Sequence, residues 1–291
     1  MADDSVYALN ESTKAGVEQE RDRLEEQHHF FDDVMNNELL PPHIASHLAA
    51  IPSPRVCDFA TGTSIWLREL SKTLPTSAEL VGLDFDASKF PRPEALPPNI
   101  TLSLADGFQP FPKEFQNRFD VVHLRFFLFA LKTDQGVPLV KNLLSLLRPG
   151  GWLVWTETNP NVWNAEPPSE ALIQYQKLHY SYSQETNLER NTPWIITSCI
   201  RQAGLEDCDE KLYNSGSALF GPKGSDWLAR EHHEFLTGLR QVVKGMLSQG
   251  CLDGLITLQG LDDLMAKAKE EMDGSRKWHY PVVRAWGRKP S

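Results

Sequence analysis

The chain has few cysteines: Cys57, Cys199, Cys208 and Cys251 are all there are in 291 residues. No two of them share C-x-x-C spacing, which argues against structural zinc and thioredoxin-type chemistry. The opening Met1-Ala2-Asp3-Asp4 lacks the apolar stretch of a secretory signal, so a cytoplasmic chain with free thiols is expected. No apolar run reaches the roughly 18–20 residues that a membrane helix needs, and no membrane partner is expected. Basic residues are in deficit, 29 Lys+Arg against 39 Asp+Glu, for a formal charge of −10. Without a basic block to compensate, nucleic-acid phosphate is a poor electrostatic match. Internal repeats and low-complexity tracts are also missing. What remains is a chain with 41% hydrophobic residues, enough to build a core. Its length fits one large α/β domain, alone or with an elaborated cap.

The first segment is charged and has helical spacing. Val17, Leu24, Phe31 and Val34 form a narrow apolar seam, and Leu40-Pro41-Pro42 stops the helix. The acidic run from Glu18 to Glu26 reads as a solvated face. From Arg55 the pattern changes to short buried strands. These are Arg55 to Phe59, Leu80 to Asp84, Ile100 to Leu104, Phe119 to His123 and Trp152 to Trp155. Helices alternate with them: Trp66, Leu67, Leu70 and Leu74 share one face, and Val140, Leu143, Leu144 and Leu147 share another. The alternation predicts a parallel sheet with helices on both faces. A helix from Ser169 to Tyr182 follows. The next is expected to begin at Thr192-Pro193, with Ile196, Cys199, Ile200 and Ala203 inward and Gly204 closing it. Leu205 to Tyr213 and Tyr280 to Gly287 read as final strands, separated by a glycine-rich loop (Ser215 to Gly224) and helical material from Asp226 to Lys269.

Three consecutive strands end at carboxylates: Asp58, Asp84 and Asp106. In a parallel sheet those ends open on one edge, where ligands bind. A glycine turn after the first strand lets a ligand approach backbone at a helix N-terminus. A carboxylate ending the second strand suits a ribose diol. The ligand is therefore expected to contain a nucleoside. A dinucleotide fingerprint would need three glycines, but aligned on Gly62 the positions hold Ala60, Gly62 and Ile65. No phosphate-loop motif is present either. The carboxylate of Asp58 suits a cationic ligand better than a diphosphate. S-adenosylmethionine, an adenosine with a sulfonium and no phosphate, fits both points.

Arg55-Val-Cys-Asp-Phe-Ala-Thr-Gly-Thr-Ser-Ile-Trp66 resembles motif I of class I methyltransferases, and Gly82-Leu-Asp-Phe-Asp86 their second motif. Ala105-Asp-Gly107 resembles the adenine-contacting motif; Phe119-Asp-Val-Val-His-Leu-Arg125 and Leu147-Arg-Pro-Gly-Gly151 resemble the later ones. The spelling resembles more closely still fungal secondary-metabolite methyltransferases of the LaeA-like, UMTA type. Gly62-Thr-Ser-Ile-Trp66, Phe90-Pro91, Leu96-Pro-Pro-Asn99 and the helix Glu20-x-x-Arg23-Leu24-x-x-Gln27-His28 carry that likeness. It spans about Glu20 to Glu157 and weakens after it. One departure stands out: the family spells D-x-G-x-G-x-G, and here Ala60 and Ser64 replace the first and third glycines.

The resemblance implies a Rossmann-like class I methyltransferase fold, α/β, with a seven-stranded, mostly parallel sheet. It adds an N-terminal helix, a lid over about 1–45, and a methyltransferase domain over 46–291 with insertions near 159–191 and 215–275. Asp58 with Ala60, Thr61 and Gly62 would hold the methionine end of S-adenosylmethionine. Asp84 would take the ribose hydroxyls, with Phe85 beside the adenine, and Asp106 and Gly107 would address the adenine. His123 would lie near the sulfonium and the acceptor, while Arg23, Gln27 and His28 would close the pocket. His123 or His179 would serve as the base for a phenol or thiol.

The aromatic middle segment, with Tyr175, Leu178, His179, Tyr180 and Tyr182, is either a packing face or the wall of an acceptor pocket; Trp163, Trp194, Phe220 and Trp227 are further candidates. His28-His29 has no metal-site spacing around it, so no metal is expected. The leading expectation is methyl transfer to an oxygen, nitrogen or sulfur of a small molecule, with S-adenosylhomocysteine as product. The alternatives are a cyclase or pericyclase that keeps the fold without net methylation, and a LaeA-like regulatory subunit. A monomer or homodimer fits equally.

Overall fold

The computed structural model describes residues 14–215, 225–272 and 276–291. Its centre is a seven-stranded sheet. The strands are β1 (Arg55–Phe59), β2 (Glu79–Asp84), β3 (Ile100–Leu104), β4 (Phe119–Arg125), β5 (Leu147–Glu157), β7 (Glu206–Asn214) and β9 (Pro281–Arg288), in the order β3-β2-β1-β4-β5-β9-β7. β3 through β5 are parallel, and β9 runs antiparallel between β5 and β7. A right-handed parallel arrangement needs a crossover after each strand, which the alternation of apolar strand and amphipathic helix supplies. The strand order turns outward from β1 in one direction and β4 in the other, so their C-terminal ends form the natural crevice of the sheet.

Two apolar layers cover the sheet. On one face α4 (Gly136–Leu146) and α6 (Ile196–Gln202) bury Leu139, Val140, Leu143, Ile196 and Ile200 against Cys57, Phe119, Val122 and Trp155. On the other, α2 (Pro42–Ala49) and α3 (Ile65–Ser71) bury Ile44, Leu48, Trp66, Leu67 and Leu70 against Val56, Leu80 and Val121. A third core lies beyond the strand ends. There α1 (Lys14–Val34), α5 (Glu170–Glu185), α7 (Ser225–Ser248) and α8 (Leu258–Glu271) gather Phe30, Phe31, Tyr175, Tyr182, Phe235, Leu239 and Leu264. The cap is therefore built around the first described helix and the last two.

Several boundaries differ from the expected ones. α6 starts at Ile196 rather than at Thr192-Pro193, because the Thr192 hydroxyl is engaged elsewhere, accepting a 3.1 Å hydrogen bond from Asn159 Nδ2. β5 begins at Leu147, so Leu147 is a strand residue and not the last of the preceding helix face. Gly204 does close α6, at φ +96°. A two-stranded sheet of β6 (Asn164–Glu166) with β8 (Lys277–His279) was not expected, since three-residue strands carry no readable periodicity. The acidic run of α1 is only partly a solvated face, with Glu20 and Arg23 both buried. Phe220 and the glycine-rich loop after Ser215 lie outside the described residues.

Candidate functional site

A cavity of about 600 Å³ lies between the strand ends and the cap. The turn after β1 forms its floor. Ala60, Gly62 and Ser64 have φ of +58°, +52° and +58°, the left-handed region that glycine enters freely. The two replaced glycine positions therefore keep a glycine-like backbone in spite of their side chains. Asp58 Oδ2 accepts from the Thr61 hydroxyl at 2.7 Å, and Asp84 Oδ2 accepts from Gly62 N–H at 2.8 Å. The two strand-end carboxylates thus grip the turn from both sides. Burial raises the Asp84 carboxyl above its usual range, against the backbone donors Asp86 and Gly62 and the nearby Lys89. Asp106 Oδ1 accepts from Phe108 N–H at 2.8 Å, and Gly107 is packed so tightly against Phe59 that a Cβ has no room.

The cavity mouth near β2 and β3 carries exposed apolar side chains, Phe85, Leu104 and Phe108. Apolar groups left open beside a strand-end carboxylate suit a base stacked next to a ribose. On the turn, the buried Thr63 Oγ1 has no hydrogen-bond partner among the described residues, and Thr63 lines the cavity. A tight left-handed turn, an orphaned hydroxyl, a strand-end carboxylate and flanking apolar faces fit S-adenosylmethionine. No group of three metal-ligating side chains occurs among the described residues.

Of the residues named from sequence, Arg23, Gln27, Asp58, Ala60, Thr61, Gly62, Asp84, Phe85, Asp106 and Gly107 line this cavity. His123, His179 and His28 do not, and the expectations for them are corrected. His123 is fully buried, donates from Nδ1 to Asp58 Oδ1 at 2.7 Å, and stacks on Trp66 with ring centroids 3.7 Å apart. Burial pushes its pKa down to about 4 in spite of Asp58, so the ring is neutral and braces Asp58. His179 sits behind Phe129, edge-on at 5.5 Å, and burial lowers it to about 4. Neither ring lines the cavity, so neither is placed to touch an acceptor there. His28 is buried one layer back, accepting from Arg125 at 2.6 Å and lying 2.9 Å from Asp32 Oδ2.

The far wall is aromatic. Phe31, Phe126, Phe129, Trp163 and Tyr175 line it, with Glu234, Gly238 and Val242 from α7, while Phe127 lines the cavity from the sheet side, beside Phe59 and Phe108. Leu178 and Tyr182 instead belong to the cap core, Trp227 packs on Phe30, and Trp194 and Tyr180 are exposed. Two parts of this wall were missed in the sequence. The run Phe126-Phe-Leu-Phe129 follows β4 directly and could have been read as a strand-end loop too apolar for solvent. In α7, Trp227, Glu231, Glu234, Gly238 and Val242 fall at helical spacing, so two carboxylates interrupt an apolar stripe. Such an interruption is a readable sign of a buried polar site.

Three comparisons bear on this arrangement. Residues 25–208 match the family described as Methyltransferase domain. The N-methyltransferase tcpN of Claviceps purpurea is 28% identical over 96% of this chain and 97% of its own length. The methyltransferase grgD of a Penicillium species is 31% identical over 73% of each chain. Among solved structures, a chain from the Haloferax volcanii complex containing the Trm112 methyltransferase activator matches with a TM-score of 0.51. It is 16% identical and covers 97% of this chain and 100% of that one, a likeness of fold. No described helix is long and apolar enough to cross a membrane.

Proposed function

Because the chain belongs to the Methyltransferase domain family, we propose that it methylates a small, flat, largely apolar acceptor bound against the cap. Its cofactor is S-adenosylmethionine, which supplies an electrophilic methyl group on a sulfonium centre. The observation that carries the reading is one shared cavity: Asp84, Gly62 and Asp106 line it on the sheet side, Phe126, Trp163 and Tyr175 on the cap side.

The residues divide the work. Asp84 would accept the ribose hydroxyls with the lone pairs left over from its two backbone bonds. Phe85, Leu104 and Phe108 would cover the base. The turn from Ala60 to Thr63 would hold the methionine end, with Asp58 fixed for that purpose by Thr61 and His123. Arg23, Leu24 and Gln27 of α1 would close over the site and exclude water, which strengthens every electrostatic contact inside. Because the leaving group is already activated, the protein's main task is positioning.

The test is calorimetric binding of S-adenosylmethionine and S-adenosylhomocysteine to the wild type and to Asp84→Ala. Loss of two charge-assisted hydrogen bonds should weaken binding by about 100-fold. No binding to the wild type would overturn the cofactor assignment and leave only the fold. Release of S-adenosylhomocysteine with an acceptor would separate methyl transfer from a cyclase reaction on the same scaffold.

A further inference from the structure

Glu234 is a carboxylate in an apolar place. It lies on α7, is 3% exposed, and lines the cavity among the rings of Phe126, Trp163 and Tyr175. Gln27 Nε2 donates to its Oε1 at 3.0 Å, a neutral donor that brings no countercharge; Arg23 and His233 attract its charge and Glu26 repels it. The cation that bears on it most is Arg23, whose guanidinium is already held by both oxygens of Glu20 at 2.8 Å. One turn along the same helix face, Gly238 also lines the cavity, and a Cβ built there meets nothing within 4 Å. The carboxylate therefore has open space beside it, on the aromatic side of the cavity.

We propose that Glu234 is the acceptor-recognition residue, and that the acceptor presents a basic amine to it from an aromatic or polycyclic body. The inference rests on the methyltransferase reading and deepens it by naming the acceptor atom. Charge decides between the candidate atoms. A phenol or thiol reacts as it becomes an anion, and a carboxylate in a low-dielectric site opposes a second negative charge nearby. A protonated amine brings the opposite charge, and the surrounding ring faces add cation–π attraction. Before it can react, the nitrogen must give up its proton. The N–H bond breaks towards a Glu234 oxygen, the new O–H bond leaves the carboxyl neutral, and the nitrogen keeps its lone pair. Burial supports that step, since it already holds Glu234 above the usual carboxylate range, against the opposing pull of Arg23.

The test uses a matched pair of probes, tryptamine and tryptophol, which differ in amine against hydroxyl. Their binding is measured by calorimetry on protein saturated with S-adenosylhomocysteine. The wild type should bind tryptamine about tenfold more tightly than tryptophol, as a charge-assisted contact requires. Glu234→Gln, nearly isosteric, should abolish that preference while S-adenosylhomocysteine binds as before, which also shows that the variant is folded. Gly238→Leu should weaken both probes without affecting S-adenosylhomocysteine, by filling the space beside the carboxylate. Equal affinity of the wild type for the two probes, no binding of either, or an amine preference that survives in Glu234→Gln overturns the proposal. Failure of the wild type to bind S-adenosylhomocysteine overturns the methyltransferase reading beneath it.

Discussion

The two sides of the cavity are built by different rules. On the sheet side, the residues proposed to hold the cofactor sit at strand ends or in the turn that follows. Asp58, Gly62, Asp84, Asp106 and Gly107 fall within about fifty residues of one another, and strand register places them. On the cap side, Gln27 and Glu234 are 207 residues apart in the chain, yet their side chains meet. No backbone ladder joins them. They are held because Phe30, Phe31, Tyr175 and Phe235 share one apolar core. A sheet edge tolerates sequence variation that preserves backbone shape, as Ala60 and Ser64 show. A cap depends on which side chains pack, and so is free to change its ligand.

Glu157 joins the two halves and offers the strongest perturbation. It ends β5, is fully buried, and its Oε1 accepts from Trp155 Nε1 at 2.9 Å and from Phe127 N–H at 2.6 Å. It thereby ties the aromatic loop of the cavity to the sheet. Burial raises its pKa from 4.5 to about 8. A raised carboxyl favours the proton in the folded state, so its contribution is complete below pH 4.5 and is lost as pH rises through about 8. Glu157→Gln should therefore gain stability relative to the wild type across that window, by up to about 1.4 kcal/mol per pH unit. Urea denaturation at several pH values gives the difference; a constant offset would mean that Glu157 is ionised in the fold. His123 tilts the wild-type profile the other way. Its contribution is present above pH 6.5 and lost as pH falls through about 4, and subtracting one variant from the other cancels it.

A smaller effect should come from Gly107, on the sheet side alone. A Cβ there runs into Phe59 and comes within 2.9 Å of Leu139 Cδ1. Gly107→Ala should cost about 1–3 kcal/mol in stability through overpacking. Binding of S-adenosylhomocysteine should weaken with it, while the amine preference of the cap remains. A neutral substitution would show that the β3 end yields more readily than its packing implies.

The smallest effect has the opposite sign. Ala60→Gly and Ser64→Gly relieve left-handed backbone at +58° and should each stabilise the fold by roughly 0.5–1 kcal/mol, net of the added chain freedom. Cofactor affinity should be unchanged. Thermal melts with and without S-adenosylhomocysteine decide it, and a weakened affinity would mean that the methyl and hydroxymethyl groups themselves touch the ligand.

The parallel sheet, its strand ends and the carboxylates that close them are legible in the sequence, because alternating strand and helix leave few topologies and register brings successive strand ends to one edge. The three histidines that do not line the cavity show where that legibility stops. His123 does lie at its expected strand position, paired in register with Asp58, but which way its ring faces is decided by Trp66 from α3, which covers it. Likewise Tyr175 and His179 are one turn apart on α5, and only the packing of α1 and α7 sends one to the cavity and the other behind Phe129. The sequence by itself determined the half of the site that is spelled by the backbone, since strand period and turn chemistry act over a few residues. Tertiary structure alone decided the cap half, where the acceptor is proposed to bind, Glu234 included. Its residues come from helices far apart in the chain, and the shared burial of apolar surface that orients them is a non-directional force leaving no local signature.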